Sequence, residues 1–171
     1  PGAGVRRHPE TGVALAVRCA GTGARGGVAQ AARSLLDGDA PAREYAVGVK
    51  RDPASRGGSA YICEQLRVGD ELEVEAPRNN FPLAESAAIE VFIAGGIGIT
   101  PIWSMIQRLN ALGRAWTLHY AARTREEAPF RAQLGAHPGV RFHFDAEQGG
   151  ALLPVAEIVR AAPADAHLYC C

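Results

Sequence analysis

The sequence predicts a β + α/β protein, a small antiparallel β unit followed by a parallel sheet with helices on both faces. Three observations carry this. Short β-rich runs broken by turn residues occupy the stretch from Glu44 to Ala76. From Ala88 onward, apolar strand runs alternate with helical patterns in the order βαβαβαβ, and such a chain closes a parallel sheet buried on both sides. The 171 residues are 47% hydrophobic and 21% charged, a globular balance with length for one large or two small domains. The rhythm changes near Ser86, so domains are expected over 1–85 and 86–171. No internal repeat is visible.

In chain order, Gly12 to Cys19 (GVALAVRC) reads as a strand, and Val28 to Leu36 as a helix whose apolar face is mostly alanine. Tyr45 to Arg51 (YAVGVKR) is a β-rich run stopped by the turn pair Asp52-Pro53. Ala60 to Leu66 suits one or two helical turns. Glu71 to Ala76 (ELEVEA) alternates like a half-exposed strand, and residues 78–83 form a loop. Ala88 to Ala94 is a buried-type strand, and Ile102 to Leu112 carries apolar residues at helical spacing. Strands follow at Trp116 to Ala122, Val140 to Phe144 and His167 to Cys171. Between them lie helices near Glu126 to Leu134 and at Pro154 to Ala161.

Composition removes several function classes. Eighteen basic residues balance eighteen acidic ones, which gives no electrostatic reason for a nucleic-acid or anionic-membrane partner. No run reaches about 18 consecutive apolar residues, and Pro1 to His8 does not read as a signal peptide. Cys19, Cys63, Cys170 and Cys171 lack metal-ligand spacing, so no metal site is expected, and reduced thiols fit a cytoplasmic protein. Cys170 is expected to be a buried strand residue. His119, His143 and His167 fall on predicted strands and are read as structural.

The chemistry-bearing segment is Gly95-Gly96-Ile97-Gly98-Ile99-Thr100-Pro101, between a buried strand and an amphipathic helix. Thr100 fits the N-cap and Pro101 the first helical position. Glycines let a ligand approach the backbone, and a helix N-terminus offers free N–H groups to phosphate. An ordinary strand-to-helix turn also uses glycine; three glycines in four positions, followed by Thr-Pro, favour the ligand-binding reading. This is not the Rossmann fingerprint, because Pro101 holds the third glycine position, and the region about 20 residues on, where that fingerprint has its acidic residue, holds Tyr120, Arg123 and Thr124 instead.

Val91 to Pro101 (VFIAGGIGITP) resembles the Gly-Gly-x-Gly-x-Thr-Pro signature of the ferredoxin–NADP reductase superfamily. Val49-Lys50-Arg51-Asp52, Arg56-Gly57-Gly58-Ser59 and residues 77–83 (PRNNFPL) resemble its phthalate dioxygenase reductase-like members, which serve Rieske oxygenases. Leu168-Tyr169-Cys170-Cys171 is similar to the strand leading into that family's Cys-Gly-Pro motif.

The resemblance implies a flavin-binding antiparallel β-barrel followed by a nicotinamide-binding α/β domain. Gly57, Gly58 and Ser59 then match the flavin-phosphate turn, where successive N–H groups and a hydroxyl face a dianion. Gly48, Val49 and Lys50 match the strand along the flavin; taken alone, Lys50 reads as a solvated cation. Thr100 matches a catalytic position beside the flavin ring, and Cys171 the cysteine that helps orient the hydride. Gly95, Gly96, Gly98 and Pro101 border the nicotinamide and pyrophosphate. Arg123 either faces the adenosine end or is an ordinary surface arginine. The implied cofactors are FMN rather than FAD, together with NADH, and the implied partner is a Rieske-type oxygenase.

Two departures qualify this. The family's Arg-x-Tyr-Ser/Thr is represented only by Arg33-Ser34-Leu35-Leu36, so Arg33 and Ser34 stand without the stacking tyrosine. An aromatic stacked on a base contributes about 1–3 kcal/mol, so by analogy weaker flavin binding is expected. The segment before Ser86 is short for a six-stranded barrel, and the sequence ends at Cys171 without the following Gly-Pro or a ferredoxin domain, so no iron–sulfur cluster is expected from it. The competing expectation is a truncated, non-catalytic nucleotide-binding or interaction module.

Overall fold

Two short antiparallel pairings open the chain, and a parallel sheet closes it. The computed structural model describes residues 4–8, 12–18, 44–54, 56–67, 69, 70, 72 and 79–171. The chain divides into two compact units, Pro1–Phe81 and Pro82–Cys171.

In the first unit, strands β1 (Gly4–His8), β2 (Gly12–Arg18) and β3 (Glu44–Val49) form an antiparallel sheet in the order β1-β2-β3. β2 sets the register, with Val5 opposite Leu15 on one side and Val49 opposite Val13 on the other. The segment after β3 turns into a short helix, α1 (Gly58–Ala60), which continues as a wider turn over Tyr61–Gln65. Leu66 is buried behind it against Val47, Ile62 and Leu72. The expected helix at Val28 to Leu36 and the Arg33-Ser34 pair lie outside the described residues, as does nearly all of the expected strand at Glu71 to Ala76.

The second unit is a four-stranded parallel sheet in the order β6-β5-β4-β7, built from β4 (Glu90–Gly95), β5 (Trp116–Ala122), β6 (Val140–Phe144) and β7 (His167–Cys170). Helix α2 (Ile99–Ala111) joins β4 to β5 and buries Ile102, Met105, Ile106 and Leu109, the i, i+3, i+4, i+7 face read from the sequence. Helix α3 (Arg131–Leu134) joins β5 to β6, and α4 (Val155–Ala161) joins β6 to β7. Ile158 of α4 packs on Val91 and Ile93. Phe92, the residue between them, tilts against Tyr169 with ring centroids 5.4 Å apart. Successive β4 side chains thus serve opposite faces of the sheet.

Three expectations are corrected. The helix near Glu126 to Leu134 shrinks to Arg131–Leu134, because Pro129 is followed by Phe130 in a left-handed conformation (φ 61°), which no helix accommodates. Thr100 is not the cap. A tight turn, Gly96–Gly98, runs directly into α2, so Pro101 is the third helical residue and the Thr100 hydroxyl donates to the Ile97 carbonyl at 3.0 Å. Cys170 is exposed, because it alternates with buried Tyr169 on an edge strand and α4 packs on β4 instead.

Candidate functional site

A parallel sheet has an open crevice where neighbouring strands connect in opposite directions, outside their carboxyl ends. Here β4 continues outward to β5 and β6, and the chain then returns across to β7 on the other side of β4. The switch point lies between β4 and β7, and the glycine turn and Cys171 meet there. The Gly95 N–H donates to the Cys171 carbonyl at 2.7 Å, and the Cys171 N–H donates to the Ile93 carbonyl at 3.0 Å.

Each glycine has its own reason. At Gly98 a Cβ would stand 2.3 Å from the Cys171 carbonyl oxygen and 3.3 Å from its Sγ, so only glycine lets the two segments touch. Gly96 has φ +51°, a left-handed conformation, and open space where a side chain would project. Its carbonyl accepts the Tyr120 hydroxyl at 3.1 Å. The first N–H groups of this turn have no intrahelical acceptor and are the donors the crevice can offer an anion. Thr100 is buried and spends its hydroxyl within the turn. Cys171 is exposed as a residue, and partial desolvation of its thiol, with Cys170 beside it, raises its pKa above the usual thiol range.

Beyond β5, Arg123 is exposed and its carbonyl accepts the Ala146 N–H at 3.1 Å, lacing the ends of β5 and β6 together. Two residues further on, Arg125 forms a two-pronged ion pair with Glu147 through Nε–Oε1 and Nη2–Oε2, the latter 2.8 Å.

In the first unit, Gly48 and Val49 are buried at the end of β3 and Lys50 is exposed. The Asp52 N–H donates to Ser59 Oγ at 3.1 Å, so the strand end and the Gly57-Gly58-Ser59 turn are held against each other. Gly57 has φ +116° with nothing in its side-chain direction, and the Tyr61 N–H closes the turn on the Gly57 carbonyl at 2.8 Å. An open glycine turn beside a hydroxyl could receive an anion, with Ser59 already an acceptor from the Asp52 N–H.

The sequence reading passed over Tyr120, Glu147 and Glu90 as participants. Glu90 is fully buried at the opening of β4, with Oε1 3.3 Å from Arg114 Nη2, and neither carboxylate oxygen reaches hydrogen-bond geometry. Arg114 also donates to the carbonyls of Glu85 and Ala87. That pair is at the amino end of the sheet and is structural. A groove of about 370 Å³ on the α4 face is lined by His119, Arg141, His143 and Glu157, and none of the glycine-turn residues borders it. His143 Nε2 is committed to the Ala151 carbonyl at 2.7 Å, and burial lowers the His119 pKa, with Arg141 adding to it. Among the described residues no cluster suits a metal ion, and no helix is long and apolar enough to cross a membrane.

The fold and the glycine turn at the strand switch define a nucleotide-binding α/β unit of the ferredoxin reductase kind, preceded by an antiparallel β unit. No family model matches the chain. It is 53% identical over 139 residues to phenoxybenzoate dioxygenase subunit beta of Ectopseudomonas oleovorans, covering 81% of this chain and 43% of that protein. It is 46% identical over 174 aligned positions to tetrachlorobenzoquinone reductase of Sphingobium chlorophenolicum, covering 96% and 53%. The solved structure of phthalate dioxygenase reductase superposes with a TM-score of 0.81 at 27% identity, over 100% of this chain and 60% of that one. The chain belongs to the phthalate dioxygenase reductase-like family of the ferredoxin–NADP reductase superfamily. It spans about half the length of the curated relatives it matches.

Proposed function

We propose that this chain is the flavin- and nicotinamide-binding part of an NADH-dependent reductase that passes electrons toward a Rieske-type oxygenase. The single observation that carries the reading is the switch-point crevice, where Gly96 is open and Gly98 is packed against Cys171. It brings a glycine turn with open N–H groups and the Cys171 thiol together at one strand end. The relatives' names support the reductase role. FMN is favoured over FAD because the Gly57-Gly58-Ser59 turn suits a phosphate that ends the molecule. The exposed thiols are consistent with a reducing compartment such as the cytoplasm.

When bound, the flavin supplies the chemistry that takes a hydride from the nicotinamide and releases its electrons singly. The chain's residues do the positioning. Gly57, Gly58 and Ser59 hold the flavin phosphate, with Gly48, Val49 and Lys50 along its body. Gly95 and Gly96 admit the nicotinamide and pyrophosphate to the backbone, Gly98 lets Cys171 pack directly against the turn, and Pro101 stiffens the start of α2. Cys171 presents a neutral thiol beside the nicotinamide and takes the catalytic role, while Thr100, expected there as well, is buried and acts as a positioning residue that fixes the turn through the Ile97 carbonyl. Arg123 faces the adenosine end.

The test is a visible spectrum of the purified chain, with the flavin released by heat and identified by chromatography. Flavin bands with FMN recovered are expected. FAD alone would overturn the choice of flavin, and a protein that refuses added flavin would overturn the reading in favour of a non-catalytic module.

A further inference from the structure

A mononucleotide-binding βαβ half reads the adenosine ribose just past its second strand, where an acidic group takes the 2′-hydroxyl or an arginine accommodates a 2′-phosphate. In this chain the second strand is β5, and the residues past its end are Arg123, Thr124 and Arg125. Two arginines there would ordinarily argue for a phosphorylated ribose. The structure commits Arg125 otherwise.

Arg125 lies with its guanidinium carbon 4.9 Å above the centre of the Phe144 ring. Its Nε and Nη2 both donate to the Glu147 carboxylate. That is the fork edge a phosphate would use. Glu147 comes from the turn Asp145–Gln148 directly after β6, and the bond from the Ala146 N–H to the Arg123 carbonyl fixes this turn against the end of β5. Each partner holds the other charged, with the arginine pKa raised and the carboxylate lowered. Glu126 adds a second carboxylate, with its pKa lowered chiefly by its own backbone N–H and the Thr124 hydroxyl.

We infer that Glu147 is a specificity-determining residue: by holding Arg125 in a two-pronged pair, it closes the ribose end of the site to a 2′-phosphate and leaves it open to the plain 2′-hydroxyl. The inference rests on the nucleotide-binding reading above and names the residue that sets its preference for the non-phosphorylated dinucleotide. A 2′-phosphate would have to displace a carboxylate from Arg125 and then sit beside it, dianion against anion, whereas a hydroxyl does neither. The pair is exposed on both sides, with 54% and 43% of the side-chain surfaces accessible, so its effect is that of a surface ion pair.

The experiment is an equilibrium titration of the full 171-residue chain with 2′,5′-ADP and with 5′-AMP, for the wild type, Glu147→Gln, and the double variant Arg125→Gln/Glu147→Gln. On flavin-loaded protein it is paired with kcat/KM for NADPH against NADH. The wild type should favour 5′-AMP. Glu147→Gln should raise the relative affinity for 2′,5′-ADP by about fivefold, the size of an exposed ion pair released, and the double variant should lose that gain. An unchanged ratio in Glu147→Gln with 5′-AMP still bound overturns the inference alone. A gain that survives in the double variant overturns the role given to Arg125. Failure of the wild type to bind 5′-AMP overturns the nucleotide reading and this inference together.

Discussion

Tyr120, a fully buried residue of β5, donates its hydroxyl to the carbonyl of Gly96, the one left-handed residue of the glycine turn. The bond ties the turn to the middle of the sheet and turns the Gly96 peptide so that its carbonyl faces inward. Tyr120→Phe keeps the packing and removes this tether. The KM for NADH should rise about fivefold while the flavin spectrum stays as in the wild type, and the cost in stability should be about 1 kcal/mol. Steady-state kinetics beside a denaturant titration separate the two effects.

The same phenol gives a pH signature. Burial pushes the Tyr120 pKa well above its ordinary value of 10.0. Above that pH an unfolded tyrosine loses its proton and the native one keeps it, so the unfolded chain binds fewer protons and stability falls as pH rises. The contribution is full below about pH 10 and declines beyond it by as much as about 1.4 kcal/mol per unit. Denaturant midpoints between pH 9 and pH 12 should show a steeper alkaline decline in the wild type than in Tyr120→Phe. Parallel declines would contradict the assignment.

The two central glycines should respond in the order opposite to their backbone strain. Gly98→Ala drives a Cβ into the Cys171 backbone, which cannot rotate away, and should cost about 3 kcal/mol and loosen the Gly95–Cys171 pairing. Gly96→Ala meets open space and pays only for its left-handed backbone, about 1–2 kcal/mol. Urea denaturation of both variants measures the difference.

At the other end of the sheet, Arg114→Met would leave Glu90 buried and uncompensated. The expected loss is about 3 kcal/mol of stability, with the KM for NADH unaffected because the pair is remote from the strand switch. Thermal denaturation together with kinetics checks both halves.

Much of the second unit is legible in the sequence because its signals are local. Trp116 to Ala122 alternates buried and half-buried residues along its whole length, so β5 is read residue for residue, and the glycine turn is contiguous. Misses come from long-range or conformational causes. Glu90 sits in an apolar run and finds Arg114 only after the chain has passed through α2, and Arg125 meets Glu147 across two strand ends. Thr100 resembles a cap until the tight turn before it absorbs that role. Gly4–His8 (GVRRH) has no apolar period to mark it as β1, and is a strand because β2 offers it a pairing edge.

The most direct test of the account is an anaerobic titration of the flavin-loaded chain with NADH, followed at the oxidised flavin band. The wild type should bleach with one equivalent of NADH per flavin. Gly96→Val, which fills the open side of the turn and strains its left-handed backbone, should keep its flavin and bleach far more slowly. Bound flavin that NADH leaves oxidised in the wild type, or a Gly96→Val variant that bleaches as fast, would contradict the account.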